Sequence, residues 1–169
     1  TVFDRKLKKL ISDMKDTLES MQEGYGLAAP QIGKNSKIFV AQLGNGFQEF
    51  INPQILEMST ETNMLIEGCS SVPNILGIVK RPRGIVVRAF DKNGMEFVLE
   101  AKNLEARIIS HEIDHLNKTL FTDIPEATAD ITGLNSEQVK VIMHELVKQV
   151  SITYAEALYI LAAGPLSGI

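Results

Sequence analysis

Residues Gly84–Leu116 read GIVVRAF, DKNG, MEFVLEA, KN and LEARIISHEIDHL in succession. The two seven-residue runs are rich in branched and aromatic side chains, and Asp91-Lys92-Asn93-Gly94 separates them. Asn-Gly readily supplies the positive φ angles of a tight turn that matches strand twist, so this stretch predicts a β-hairpin. The period then changes. Leu104, Ile108, Ile109, His111, Ile113, His115 and Leu116 recur at helical spacing, with Asn103 placed to cap the helix.

Working outward, Lys37–Leu43, Phe47–Ile51, Gln54–Glu61 and Gly77–Lys80 read as further strands, the first two joined by a Gly44-Asn45-Gly46 turn. Ahead of them, Phe3, Leu7, Leu10, Ile11, Met14, Leu18 and Met21 form one apolar stripe at steps of three and four, the mark of an amphipathic helix. Gly24 is the expected stop. Lys6, Lys8 and Lys9 belong to the solvated face of that helix and receive no nucleic-acid role. Beyond the hairpin and its helix, a polar link contains Pro125 and Gly133. Asn135 and Gln138 then make a capping-box pattern for a helix carrying Val139, Ile142, Met143 and Leu146. The apolar YAEALYILAAG of residues 154–164 is expected to pack or to meet a partner. The order predicts an α+β fold, with mainly antiparallel sheets and helices at both ends of the chain.

With 169 residues and 18.6 kDa, the chain has the length of one ordinary domain and can bury a core without disulfides. Hydrophobic residues at 44%, charged residues at 22% and a mean hydropathy of +0.03 exclude collagen-like and disordered readings. A net charge of −4 argues against a general nucleic-acid binder, whose footprint is basic. The single cysteine, Cys69, cannot form an internal disulfide and reads as a free thiol or a ligand in a reducing compartment. No apolar run reaches the roughly 20 residues that span a bilayer, and no secretory signal opens the sequence. A soluble, intracellular, single-domain protein is the expectation.

Three segments carry chemistry. His111-Glu112-Ile113-Asp114-His115 places two imidazoles on one helix face, with a carboxylate one position after the first. That is what a metal hydrolase requires, two nitrogens to hold the ion and a carboxylate to move a water's proton. The alternative is a helix with two half-buried histidines and a solvent-facing glutamate. His144 has no partner at useful spacing and reads as a helix-surface residue. A third ligand is needed. Glu126, Glu137, His144 and Glu145 lie downstream in no recognisable pattern, while Cys69 in Glu67-Gly68-Cys69-Ser70-Ser71 would leave the fourth position open. Taken alone, a small buried thiol is the preferred reading of that cysteine. The third segment is Gly24-Tyr25-Gly26-Leu27-Ala28-Ala29-Pro30-Gln31. It lacks the lysine-hydroxyl ending of a phosphate loop, and it follows a helix rather than the strand a dinucleotide fingerprint needs. Its small residues admit close backbone approach, and Gln31 offers a neutral amide donor to an oxyanion. Alone, it reads as a helix-ending turn packed on a sheet.

Together and in this order, the segments resemble the three signature motifs of the peptide deformylase family, G-x-G-x-A-A-x-Q, E-G-C-x-S and H-E-x-x-H. The resemblance runs from the first helix to about Asp123. It implies antiparallel sheets packed around a central helix carrying HExxH, within a single metallohydrolase domain over residues 1–169. It implies that Cys69, His111 and His115 bind one divalent metal, Fe²⁺ in the cell, with Ni²⁺, Co²⁺ or Zn²⁺ also accepted. Glu112 would be the acid–base residue, and Gln31 with the backbone N–H of Ser70 would stabilise the oxyanion. Tyr25, Gly26 and Gly68 would hold an extended substrate, with Ile108 as a wall of the methionine pocket. The implied reaction is hydrolysis of the N-formyl group from formyl-methionine on nascent peptides, releasing formate. Ser70 stands where the family usually carries leucine, which leaves the backbone donor in place. No membrane and no sequence-specific nucleic acid is expected as a partner. Some family members contact the ribosome through a C-terminal helix, which here implicates Lys140 and Lys148; a packing helix is the simpler reading of that segment. A cytoplasmic or organellar location is implied.

Overall fold

The computed structural model describes residues 1–21 and 24–150. In chain order the elements are α1 (Arg5–Ser20), β1 (Gly26–Ala28), a 3-10 turn (Ala29–Ile32), β2 (Ile38–Leu43), β3 (Gly46–Met58), β4 (Thr62–Cys69) and β5 (Val72–Pro82). They continue with β6 (Gly84–Phe90), β7 (Glu96–Lys102), α2 (Leu104–Leu116), a 3-10 turn (Phe121–Asp123), β8 (Pro125–Asp130) and α3 (Ser136–Gln149). This is a mixed α/β chain with antiparallel strand pairing and three helices among the described residues. The contacts divide the described residues into two compact units, Thr1–Glu61 with Pro82–Thr119, and Thr62–Arg81 with residues 120–150.

The first unit is built on a five-stranded sheet in the order β1-β2-β3-β6-β7, every pairing antiparallel. Side chains alternate across a strand, and β2 shows why its first four residues, Ile38–Ala41, are all apolar. Ile38 and Val40 pack in one cluster with Leu7, Ile11, Met14 and Leu18 of α1. Phe39 and Ala41 pack in another with Ala106, Ile108, Ile109 and Ile113 of α2. The Phe39 and Phe50 rings stack at 4.4 Å. Fully burying a side chain of this size stabilises by about 1.5–3 kcal/mol, so the α1 stripe alone is a large term for a domain.

The hairpin forms where expected, but its turn differs from the expectation. Gly94 is left-handed at φ +82°, and Asn93 is not. The loop is held instead by the Asp91 carboxylate, whose Oδ1 accepts from the N–H groups of Asn93 and Met95, both at 2.8 Å. Other boundaries also move. α1 ends at Ser20, where Met21 N–H donates to the Leu18 carbonyl, and not at Gly24. Phe47–Ile51 and Gln54–Glu61 are not separate strands, because β3 runs from Gly46 across the gap between them and stops at Met58, short of Glu61. Asn52 takes φ +50°, and the pairing with β6 shifts register between Ile51 and Gln54. A bulge keeps one strand continuous across a sequence that looks interrupted. Asn103 does not cap α2 with its side chain; at φ +52° it is outside the extended backbone a cap adopts.

The second unit has a three-stranded sheet in the order β4-β5-β8, with β5 and β8 antiparallel. Val139, Met143, Leu146 and Val147 of α3 pack with Ile66, Leu76 and Ile78. The expected capping box is present in both directions, Gln138 N–H to Asn135 Oδ1 and Asn135 N–H to Gln138 Oε1, each 3.0 Å. The supposed polar link is in part strand β8, where Ala127 and Ala129 turn toward the cluster and Glu126, Thr128 and Asp130 are exposed. No described helix is long and apolar enough to cross a membrane. The apolar segment 154–164 lies outside the described residues.

Candidate active site

In the first unit, α2 delivers His111, Glu112 and His115. Four-residue spacing sets the two imidazoles on one helix face, with ring centroids 4.9 Å apart and planes at 87°. His115 is 5% exposed and Glu112 only 4%. Burial of the glutamate removes the reading in which it faces solvent. β1 runs beside this helix residue. A Cβ built on Gly26 would overlap Glu112 Oε1 and stand 2.6 Å from its Cδ, so the carboxylate fills the space a side chain would take. Gln31 follows in the 3-10 turn that Pro30 initiates, and its Oε1 accepts from the Ala28 N–H at 2.7 Å. With the oxygen committed to that bond, the donor end of the amide is Nε2. Tyr25 is half-buried against the cluster that holds Ile108, and its carbonyl accepts from the Gln42 N–H at 2.8 Å. Ile108 is 9% exposed.

In the second unit, Gly68 and Cys69 close β4, and Ser70 with Ser71 form the turn into β5. Cys69 is half-buried, and the Ser71 N–H points at its Sγ at 3.5 Å. The Ser70 side chain is exposed. Just before the cysteine, Glu67 is gripped by Arg81, Nε to Oε1 at 2.6 Å and Nη2 to Oε2 at 2.9 Å, with both side chains 4% exposed. A bidentate pair of this kind fixes direction as well as distance. It anchors the strand that presents Cys69. The remaining ligand candidates are engaged at the surface or lie on it. Glu137 pairs with Lys140, Glu145 pairs with Lys148, His144 Nδ1 lies 2.9 Å from the Lys140 carbonyl, and Glu126 is exposed.

Two contributors escaped the sequence reading. Arg81 sits in KRPR, which looks like a solvated charge run, and nothing local reveals that it is buried opposite Glu67. Gly26 was expected to matter for its backbone, whereas its missing side chain makes room for Glu112.

An α+β chain whose helix carries HExxH, with the two imidazoles on one face and the intervening glutamate buried, defines a metal-dependent hydrolase. The comparisons with known proteins narrow this. The family model described as polypeptide deformylase matches residues 1–130. Peptide deformylase 1 of Bacillus subtilis (strain 168) is 50% identical over 124 residues, covering 72% of this chain and 76% of the relative. The solved structure of peptide deformylase from Thermotoga maritima aligns with a TM-score of 0.72 at 40% identity, over 75% of this chain and 86% of that one. The inhibitor complex of the Plasmodium falciparum enzyme aligns at 0.69 and 36% identity, over 88% of each chain. The chain belongs to the polypeptide deformylase family. Its reaction class is therefore metal-dependent hydrolytic deformylation of N-terminal formyl-methionine.

Proposed function

We propose that residues 1–169 work as a single metallohydrolase domain organised about the HExxH helix, and that Cys69, His111 and His115 hold one divalent ion, Fe²⁺ in the cell. The donor chemistry fits: one thiol and two imidazoles could hold a metal ion, and three protein ligands leave a coordination position for water. Nitrogen and sulfur donors also suit Ni²⁺, Co²⁺ and Zn²⁺. When bound, the ion acts as a Lewis acid that polarises the formyl carbonyl and lowers the pKa of water. The buried carboxylate of Glu112 takes the attacking water's proton and returns it to the leaving amine nitrogen, as general base and then general acid. Gln31 Nε2 and the Ser70 backbone N–H donate to the developing oxyanion.

β1 and β4 each stand at an end of their own sheet. Edge strands can accept a peptide as an added strand, which supports Tyr25, Gly26 and Gly68 as the groups that hold an extended formyl-methionyl chain. Ile108 walls the methionine pocket. The setting is the bacterial cytoplasm, or an organelle if the host is eukaryotic. Contact with the ribosome through α3 would have to displace the ion pairs that Lys140 and Lys148 already make.

The observation that carries this reading is the buried Glu112 between two same-face histidines, within a family match that spans all three motifs. Its test is formate release from a short formyl-Met peptide, with protein loaded anaerobically with Fe²⁺ or with Ni²⁺. Glu112→Ala is assayed at equal metal content. Turnover by the parent should fall by about 10²–10⁴-fold in the variant. Silence from a fully metallated parent would sink the reading.

A further inference from the structure

Glycine inside a strand weakens it, so Gly26 in β1 calls for a reason. Backbone angle is not the reason. The described glycines with positive φ are Gly33, Gly46, Gly94 and Gly133, and Gly26 pairs in register with Ala41 as ordinary extended strand. Space is the reason. A Cβ at this position would overlap Glu112 Oε1 and lie 2.6 Å from Cδ and 2.7 Å from Cγ. Carbon atoms in ordinary contact stand about 3.5–4.0 Å apart. Three consecutive atoms of one side chain are affected, and that side chain leaves a helix and is 4% exposed. Rotation about the Glu112 Cα–Cβ bond moves all three together, and it carries the carboxylate from its place with them. Gly68, the glycine beside Cys69, differs, because a Cβ there meets nothing closer than Leu76 Cδ2 at 3.5 Å.

We propose that Gly26 is a positioning residue for Glu112: its missing side chain is the slot in which the carboxylate is held against β1, and any larger residue turns that carboxylate away from the reacting water. The catalytic half of this inference rests on the deformylase reading above. The structural half does not.

The experiment is a double-mutant cycle over the parent, Gly26→Ala, Glu112→Ala and the double variant, each loaded with Ni²⁺. Metal content, Tm, kcat and KM are measured on all four. A displacement of about 1 Å in a catalytic group costs on the order of 10²-fold in rate. Gly26→Ala keeps the backbone groups that would hold substrate, so it should lower kcat by about 10–100-fold with metal stoichiometry unchanged and any rise in KM much the smaller effect, and should lower Tm by several degrees. With Glu112 cut back to alanine the crowding is gone, and alanine suits an extended backbone better than glycine. In that background Gly26→Ala should raise Tm, a reversal of sign. If Gly26→Ala fails to fold, recovery of folding in the double variant supports the slot and failure in both overturns it. An equal loss of Tm in both backgrounds overturns the inference. So does a rise in KM with kcat intact, which would assign Gly26 to substrate contact alone. An inactive parent would remove the deformylase reading, while the Tm cycle would still decide whether Gly26 makes room for Glu112.

Discussion

His111 and His115 share a face because a helix places residues four apart together, whereas Cys69 ends a strand that carries a buried ion pair between residues 14 apart in sequence. The two kinds of support fail differently. Helical spacing survives almost any change elsewhere on α2, while the strand that ends at Cys69 is held by tertiary contacts, its pairing with β5, the packing of Ile66 and the Glu67–Arg81 pair. A helix can thus supply ligands by local geometry alone. A strand terminus needs a tertiary clamp to hold its side chain in one direction.

The largest expected effect tests whether both halves are needed. Cys69→Ala should abolish stoichiometric Ni²⁺ binding at concentrations that saturate the parent, and activity should go with it. Metal analysis after gel filtration reads this directly. Retention of one ion per chain would show that the helix holds the metal without the strand, as in a hydrolase where Cys69 is merely buried.

A smaller effect probes the clamp. Arg81→Met leaves the Glu67 carboxylate buried without its cation, which typically costs 3–5 kcal/mol, and the loss should appear in urea melts. Replacing both partners, Glu67→Leu with Arg81→Met, removes the buried charge and should recover most of that stability, since apolar substitutes for buried pairs are often neutral or better. If the pair aims Cys69, the double variant should still bind metal about tenfold or more weakly than the parent, the scale typical for groups that orient a ligand. Parental affinity in the stable double variant would reduce Glu67–Arg81 to a packing feature.

The same division between local and long-range support explains what the sequence made legible. α1, α2, α3 and the β6–β7 hairpin follow from repeating patterns of a few residues, and they formed where expected. The Asn135–Gln138 box was readable because its partners are three residues apart. β1 has only three residues, too few for a period to register. β4 hides Glu67 inside an apolar run, and Arg81, on the next strand, supplies the buried cation opposite it. β3 looked broken at Asn52-Pro53 because a bulge uses residues that elsewhere end strands. At the site, the metal-type donors and Glu112 stand in contiguous motifs. Arg81 and the volume role of Gly26 involve partners that no motif contains.

The smallest effect concerns two turns, one in each unit, that an aspartate closes. Burial is the largest single influence on the Asp91 carboxyl and raises it, but the N–H donors of Met95, Asn93 and Gly94 together outweigh it and hold the group below its ordinary value. Asp130 in the second unit is also lowered, by hydrogen bonding to Thr132. A carboxyl depressed in the folded state stabilises at pH above its unfolded value, and the contribution is lost as pH falls through the folded value. The Asp91 turn should therefore stabilise the hairpin fully from neutrality down to about pH 4, near the unfolded aspartate value, and progressively less below that. Asp91→Ala removes both acceptor bonds at a cost of about 1 kcal/mol. The Tm difference between parent and variant should stay constant above about pH 4 and narrow below it. Asp130→Ala should show the same trend with a smaller amplitude, because Asp130 closes the end of an exposed strand while Asp91 holds the turn on which the β6–β7 register depends. A gap that persists undiminished to about pH 2, well below the ordinary aspartate value, would mean that Asp91 holds the loop by shape and not by charge. Equal amplitudes at the two sites would erase the distinction between a turn that sets register and one that only closes an edge.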